Sequence, residues 1–222
     1  MQIVADALKG ARPMSETTRW DGPPVETWSM GWTPDEAAEA LAGVTAPWAV
    51  AGGWALDLWL GRQTRDHGDI EITVPAAFFP EVQARLEARG LKLFSNIDGE
   101  VIALEPGEVR GPDGFQTWVT DPDARSWILD IFREPGDAET WVYRRTGELS
   151  APRARANSRD ARGIPFVAPQ IVLLFKAKAM RDKDLADFAL IAPQLPAEDR
   201  DWLAASLGVI HPGHPWIERL AG

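Results

Sequence analysis

The chain has 222 residues, 45% of them hydrophobic and 25% charged, enough for one large domain or two small ones with a sizeable core. Its net charge of -10 speaks against non-specific binding to nucleic acid or to an anionic membrane, and is compatible with a cationic small partner. With no cysteine, no apolar run of transmembrane length and no signal-peptide pattern, a disulfide framework and a thiolate metal site are excluded and a cytoplasmic address is expected.

Residues 1–31 are weakly patterned, and Pro13, Gly22, Pro23 and Pro24 break any long element. They read as an N-terminal arm, of which Trp20 and Trp28 dock a part onto the body. A helix starts at Thr33-Pro34-Asp35-Glu36. Thr33 caps, Pro34 suits the first helical position and Glu36 completes a capping box. Trp48-Ala49-Val50-Ala51 is a short apolar run, the mark of a buried strand. Gly52-Gly53 then allows a tight turn, Trp54 to Leu60 suits a two-turn helix, and Gly61 stands at its C-terminal cap.

Asp69 to Val74 alternates strictly. Ile70, Ile72 and Val74 face one way; Asp69, Glu71 and Thr73 face the other. Residues two apart on a strand project in parallel, about 6.5–7 Å apart at the backbone, so Asp69 and Glu71 can lean onto one divalent cation. An all-oxygen pair of this kind suits magnesium.

Pro75 stops that strand. Phe79, Val82 and Leu86 fall at helical spacing before a capping Gly90. Residues 91–94 and 101–104 read as a hairpin around Asp98-Gly99, 107–114 as loop, and Thr117-Trp118-Val119 as a short strand. Trp127 to Phe132 is nearly all apolar, with Asp130 in its middle. Such an aspartate is either turned to solvent on an edge strand, or paired, hydrogen-bonded or metal-bound. From Arg144 to Arg162 six arginines face only Glu148 and Asp160, which makes either a solvated loop or a polyphosphate-attracting patch. Pro169 opens the most apolar helix, in which Lys176 either snorkels to the surface or meets an anionic ligand. Lys183 and Asp187 are spaced as an i,i+4 pair. Asp184 to Ile191 and Asp199 to Leu207 are helical, and the tail from His211 to Trp216 is turn-rich, its histidines packed rather than metal-bound.

A glycine pair at a strand end, a helix, an acidic-apolar-acidic strand and a lone acid on a later strand resemble the polymerase-β type of nucleotidyltransferase. The longer wording GGWALDLWLGRQTRDHGDIEI, residues 52–72, is similar to the aminoglycoside 2''-adenylyltransferase and lincosamide nucleotidyltransferase-like family. The similarity runs on through Ile164 to Pro169, residues 173–178, Lys183-Asp184, Asp187-Phe188 and the tail, so it covers roughly 32–220. The resemblance implies an α/β (α+β) nucleotidyltransferase fold: a mixed-sheet domain over 32–163 and a helical C-terminal domain over 164–222. It implies magnesium and a nucleoside triphosphate, with ATP expected, and transfer of the nucleoside monophosphate to a hydroxyl of a small acceptor, an aminoglycoside-like antibiotic among the candidates. In its terms Asp69, Glu71 and Asp130 are catalytic and hold the metal. Gly52, Gly53, Arg65, Lys176 and Lys178 bind the nucleotide, and His67 has a less defined part. Glu71 departs from the aspartate of the well-known antibiotic-modifying members, though the superfamily admits either acid. Two rivals stand beside this reading: transfer to a protein or RNA, as in toxin–antitoxin relatives, and nucleotide binding without catalysis.

Overall fold

The computed structural model describes residue 28 and residues 31–97, 100–111, 114–121 and 126–221. The rest of the arm, Trp20 included, and the Asp98-Gly99 turn lie outside the described residues. Trp28 does dock on the body: its ring meets Trp118 edge-on at 5.4 Å and Trp127 at 6.3 Å.

Helix α1, Pro34–Ala40, begins as its first residues dictate. The Thr33 hydroxyl accepts from the Glu36 amide at 3.3 Å, and the Glu36 carboxylate accepts from the Thr33 amide at 2.7 Å. Thr33→Ala is therefore expected to cost about 1 kcal/mol of stability, read by chemical denaturation. No change would mean that tertiary packing alone holds this helix.

The main sheet is built from β1 (Ala49–Val50), β2 (Glu71–Pro75), β3 (Lys92–Ile97), β4 (Glu100–Ala103), β5 (Gln116–Asp121), β6 (Ser126–Glu134), β9 (Asn157–Arg159) and β10 (Pro165–Val167). A separate two-stranded sheet pairs β7 (Thr140–Val142) with β8 (Ser150–Pro152). The order of the main sheet is β4-β3-β5-β6-β2-β1-β10-β9. Two pairings, β1 with β10 and β2 with β6, are parallel and the others antiparallel, so the sheet is mixed. β3 and β4 form the expected hairpin. β10 follows residue 163 in sequence, yet it is a strand of this same sheet.

Ile70, Ile72 and Val74 are fully buried, as the alternation requires. Pro75 does not stop the strand but ends it inside the ladder, opposite Glu134. A proline at the last strand position removes only one donor, which the sheet tolerates.

Helix α2 spans Gly52–Leu60, so the glycine pair forms its first turn rather than a turn ahead of it. Gly61 is left-handed at φ 67° and closes the helix as expected. Phe79, Val82 and Leu86 bury one side of α3, Phe79–Glu87. Short α4 spans Arg153–Ala156. Helix α5, Pro169–Lys176, packs on α2, on α6 (Asp182–Ile191) and on α7 (Ala197–Ile210). The chain breaks between α5 and α6 at Met180, which takes φ 48°. The tail holds a further helix, α8 (Trp216–Ala221), that the turn-rich sequence hid. A six-residue helix has little stability of its own. Here the buried Trp216 stacks on Phe188 at 4.0 Å and anchors it. The His214 ring nitrogen Nε2 lies 3.1 Å from the Ala177 carbonyl, a packing role for that histidine.

Among the described residues no helix is long and apolar enough to cross a membrane.

Candidate active site

The site forms where β2 and β6 run side by side. Glu71 and Asp130 are direct partners in the register, so their side chains rise from the same face of neighbouring strands. Asp130 is 5% exposed and lies on an interior strand between β5 and β2. The edge-strand alternative is thereby overturned. Its Oδ2 accepts from Gln116 Nε2 at 2.7 Å, while its Oδ1 is buried with no hydrogen-bond partner among the described residues. Burial, and then the charge of Glu71, push the Asp130 carboxyl well above the ordinary aspartate range; the Gln116 hydrogen bond opposes them. Glu71 is raised by burial and by Asp69, against the pull of Lys176, Lys183 and Arg181.

Asp69 is exposed and sits just before β2 rather than inside it. The three carboxylates feel each other's charge, but no three His, Cys, Asp or Glu side chains among the described residues are drawn into a closed metal cage.

The glycine pair makes room for protein groups. Gly52 has φ 62°, and a Cβ there would lie 2.3 Å from Glu71 Oε2. A Cβ on Gly53 would lie 2.4 Å from Arg65 Nη2 and 2.6 Å from the His67 ring. Gly52 is favoured by its left-handed φ, and a Cβ on Gly53 would displace the His67 ring that closes the following loop on α2.

That loop hangs on Asp57, a residue that sequence reasoning passed over. Its carboxylate accepts from Thr64 Oγ1 at 2.5 Å and from the Thr64 amide at 3.2 Å, and meets His67 Nε2 at 2.5 Å. Trp54 covers the His67 ring at 4.4 Å. An aspartate buried inside an apolar helix was the available signal, because such a group needs partners.

Lys176 is 8% exposed and does not snorkel. Its Nζ pairs with Asp187 Oδ2 at 2.8 Å and with Asp184 Oδ1 at 3.2 Å. Arg181 adds a 2.8 Å bond to Asp184, and Arg65 lies 3.5 Å from Asp187. Asp187 thus faces Lys176 and Arg65 instead of forming the expected pair with Lys183. Burial opposes the charge of Asp184, but the Arg181 and Lys176 hydrogen bonds outweigh it and hold the carboxyl below its usual range.

These groups frame a narrow inner cleft of ≈ 120 Å³ whose walls include Gly53, Arg65, Asp69, Glu71, Lys176, Arg181 and Lys183. The structure therefore brings Asp69, Glu71, Gly53, Arg65 and Lys176 together, with Gly52 against Glu71 and Asp130 across the strand pair. Lys178 is not among them. It is exposed and lines a separate outer cleft. A larger cleft of ≈ 900 Å³ lies between α2 and residues 158–162, away from all three carboxylates.

Residues 36–116 match the family model described as aminoglycoside-2''-adenylyltransferase. A 2''-aminoglycoside nucleotidyltransferase of Escherichia coli is 40% identical over 52 residues, which cover 23% of this chain and 29% of that protein. The match thus spans less than a third of the curated relative's length. Among solved structures, the crystal structure of ANT(2'')-Ia in complex with adenylyl-2''-tobramycin aligns with a TM-score of 0.53 at 18% identity, over 79% of this chain and 95% of the other. The solution structure of the antibiotic-resistance factor ANT(2'')-Ia aligns with a TM-score of 0.52 at 19% identity, over 79% and 89%. The fold is that of these nucleotidyltransferases, as the motifs implied.

Proposed function

We propose that this chain, with an aminoglycoside-2''-adenylyltransferase signature over residues 36–116 on a nucleotidyltransferase fold, is a magnesium-dependent nucleotidyltransferase. It moves AMP from ATP to a hydroxyl of a small polyhydroxylated acceptor. The observation that carries the reading is the register pair of half-buried Glu71 and buried Asp130, one Asp130 oxygen without a hydrogen-bond partner among the described residues, beside a cation-lined cleft.

The donor set fits magnesium. Glu71, Asp130 and the adjoining Asp69 offer only carboxylate oxygens, and Asp130 Oδ1 lacks a well-formed hydrogen bond among the described residues. These three residues would hold the metal, which when bound stabilises the charge that develops around the α-phosphorus.

The remaining work falls to side chains and backbone. Helix α2 opens without a side-chain cap, and Gly53 and Trp54 line the inner cleft, so its first N–H groups suit phosphate oxygens. Arg65, Arg181 and Lys183 add positive charge there, with Lys176 behind them. Asp130 accepts the proton of the attacking hydroxyl. The new bond joins that oxygen to the α-phosphorus; the bond to the bridging oxygen breaks, and pyrophosphate leaves with the electron pair. The strands up to residue 163 thus supply the carboxylates and the helices after it supply Lys176, Arg181 and Lys183, which gives the α/β and helical parts distinct tasks. A cytoplasmic setting, where ATP and magnesium are plentiful, belongs to the same reading. The solved relative that carries adenylyl-2''-tobramycin makes aminoglycosides one acceptor class to assay.

Calorimetry with a non-hydrolysable ATP analogue tests the core of this reading. Binding to the wild type is expected to strengthen with magnesium, and Asp69→Ala is expected to lose that dependence. Equal affinity with and without magnesium in both proteins would end the proposal. A labelled macromolecule in place of a labelled small acceptor would favour the toxin–antitoxin-like rival.

A further inference from the structure

The cleft does not stop at Glu71. On its far side lies a limb of ≈ 290 Å³ whose walls include Glu71, Phe132, Trp141 and Phe175. Glu134, Arg144 and Arg145 border both this limb and the neighbouring outer cleft of ≈ 730 Å³.

The charge of the outer cleft is one-sided. Among the described residues Arg110, Arg133, Arg144, Arg145 and Lys178 line it, with Glu134 as the single acid. Glu134 is already taken by a buried ion pair with Arg153, outside the cleft. Of the cations, Arg110 is matched by Glu108 at 3.0 Å. Arg133 is 5% exposed; its Nη1 donates to the Arg110 carbonyl at 2.7 Å, but Nε and Nη2 are buried with no hydrogen-bond partner. Its guanidinium packs 4.8 Å from the centre of the buried Phe79 ring, so it adds positive charge from behind the cleft wall. Arg144 lies over the Phe115 ring at 4.0 Å and over Phe132 at 5.4 Å. Among the described residues it makes no hydrogen bond or ion pair with an acid. Stacking of this kind holds the guanidinium flat with its fork available for a phosphate or carboxylate. In a chain of net charge -10 such an accumulation does not follow from composition.

We propose that this outer cleft recognises an anionic group of the acceptor, so that the molecule whose hydroxyl is nucleotidylated also carries a phosphate or a carboxylate. The inference rests on the nucleotidyl-transfer reading and specifies its substrate class. The nucleotide does not account for these cations. On that reading its triphosphate sits in the inner cleft, where Arg65, Lys176, Arg181 and Lys183 are already at hand, and its nucleoside is uncharged. The acid excess that suggests a cationic acceptor is a property of the whole chain, and the walls of this cleft carry the opposite sign.

The test has two arms on the full chain. In the first, a sugar phosphate, a sugar acid, the neutral parent sugar and an aminoglycoside are compared in a magnesium–ATP pyrophosphate-release assay. The sugar phosphate or sugar acid is expected to be used about 10–100-fold better than the neutral sugar, the scale of charge-assisted hydrogen bonds. Arg144→Ala is expected to raise the KM of the anionic acceptor by a similar factor and leave ATP-analogue affinity unchanged, with partial rescue by Arg144→Lys. Preference for the neutral sugar or the aminoglycoside overturns the inference while nucleotidyl transfer stands. Loss of ATP-analogue affinity in Arg144→Ala also overturns it, because the limb then holds the nucleotide. The second arm titrates the sugar phosphate and the sugar acid into nucleotide-free protein by calorimetry. Binding that disappears in Arg144→Ala supports the anion site even if no acceptor turns over, in which case the reaction reading fails alone. Absence of binding by both anions sinks the inference.

Discussion

Asp130→Asn is expected to keep its affinity for the ATP analogue within a few fold and to lose most turnover, by about 10²–10⁴, the range for removal of a general base. The aspartate is buried on an interior strand, one oxygen is held by Gln116, and the other has no hydrogen-bond partner among the described residues. Asparagine keeps the shape but cannot take a proton. The same substitution is expected to stabilise the nucleotide-free and metal-free protein at neutral pH. The Asp130 carboxyl titrates higher in the folded state than in the unfolded chain, chiefly through burial and the charge of Glu71. Between those two values the folded state binds more protons, so stability falls as pH rises through the window. Asparagine removes that slope. Urea titrations at acid and neutral pH should show the gap between variant and wild type widening as pH rises. A variant that unfolds easily and no longer binds the nucleotide would mean that Asp130 is a structural residue.

Lys176→Met is expected to cost about 3–5 kcal/mol of folding stability, because it leaves Asp184 and Asp187 buried with their shared cation removed. The sequence alone points to a milder result, a folded protein that binds triphosphate less well, since it shows a lysine among apolar residues and not the two aspartates beneath it. Arg181 still holds Asp184, and Arg65 lies near Asp187, so the loss falls short of complete unfolding. The Asp184 carboxyl lies below its unfolded value in the folded state, so its contribution is present above the unfolded value and is lost as pH falls through the folded one. Lys176→Met should therefore also reduce the steepness of acid unfolding. Lys178→Met, on an exposed residue of the outer cleft, serves as the control and should change stability by no more than about 0.5 kcal/mol. Equal stability of the two variants would show that the buried pairs contribute nothing.

Much of the fold is legible in short windows. The capping box at Thr33, the left-handed cap at Gly61, the buried Ile70, Ile72 and Val74, and the strand around Asp130 all follow from periodicity and from the conformational limits of single residues. The family motif, which runs through the same window, located Glu71 and Gly53 at the inner cleft. Asp57 is harder to read, because a buried aspartate declares a need for partners without naming them. Thr64 and His67 become those partners only when the glycine pair lets the loop fold back on α2.

The sequence by itself determined that Ile70, Ile72 and Val74 face the core, that α1 begins at the Thr33 cap and that α2 ends at Gly61, because those depend on neighbours a few positions away. It also determined that Asp69, Glu71 and Asp130 are acids on or beside two apolar strands. Only the tertiary structure decided that β2 lies parallel to β6 with Glu71 opposite Asp130, that Lys176 is claimed by Asp184 and Asp187, and that Lys178 faces the outer cleft rather than the inner one. Strand order and side-chain pairing across long loops arise from the joint burial of many apolar faces, and a charge finds its partner according to where that burial leaves it.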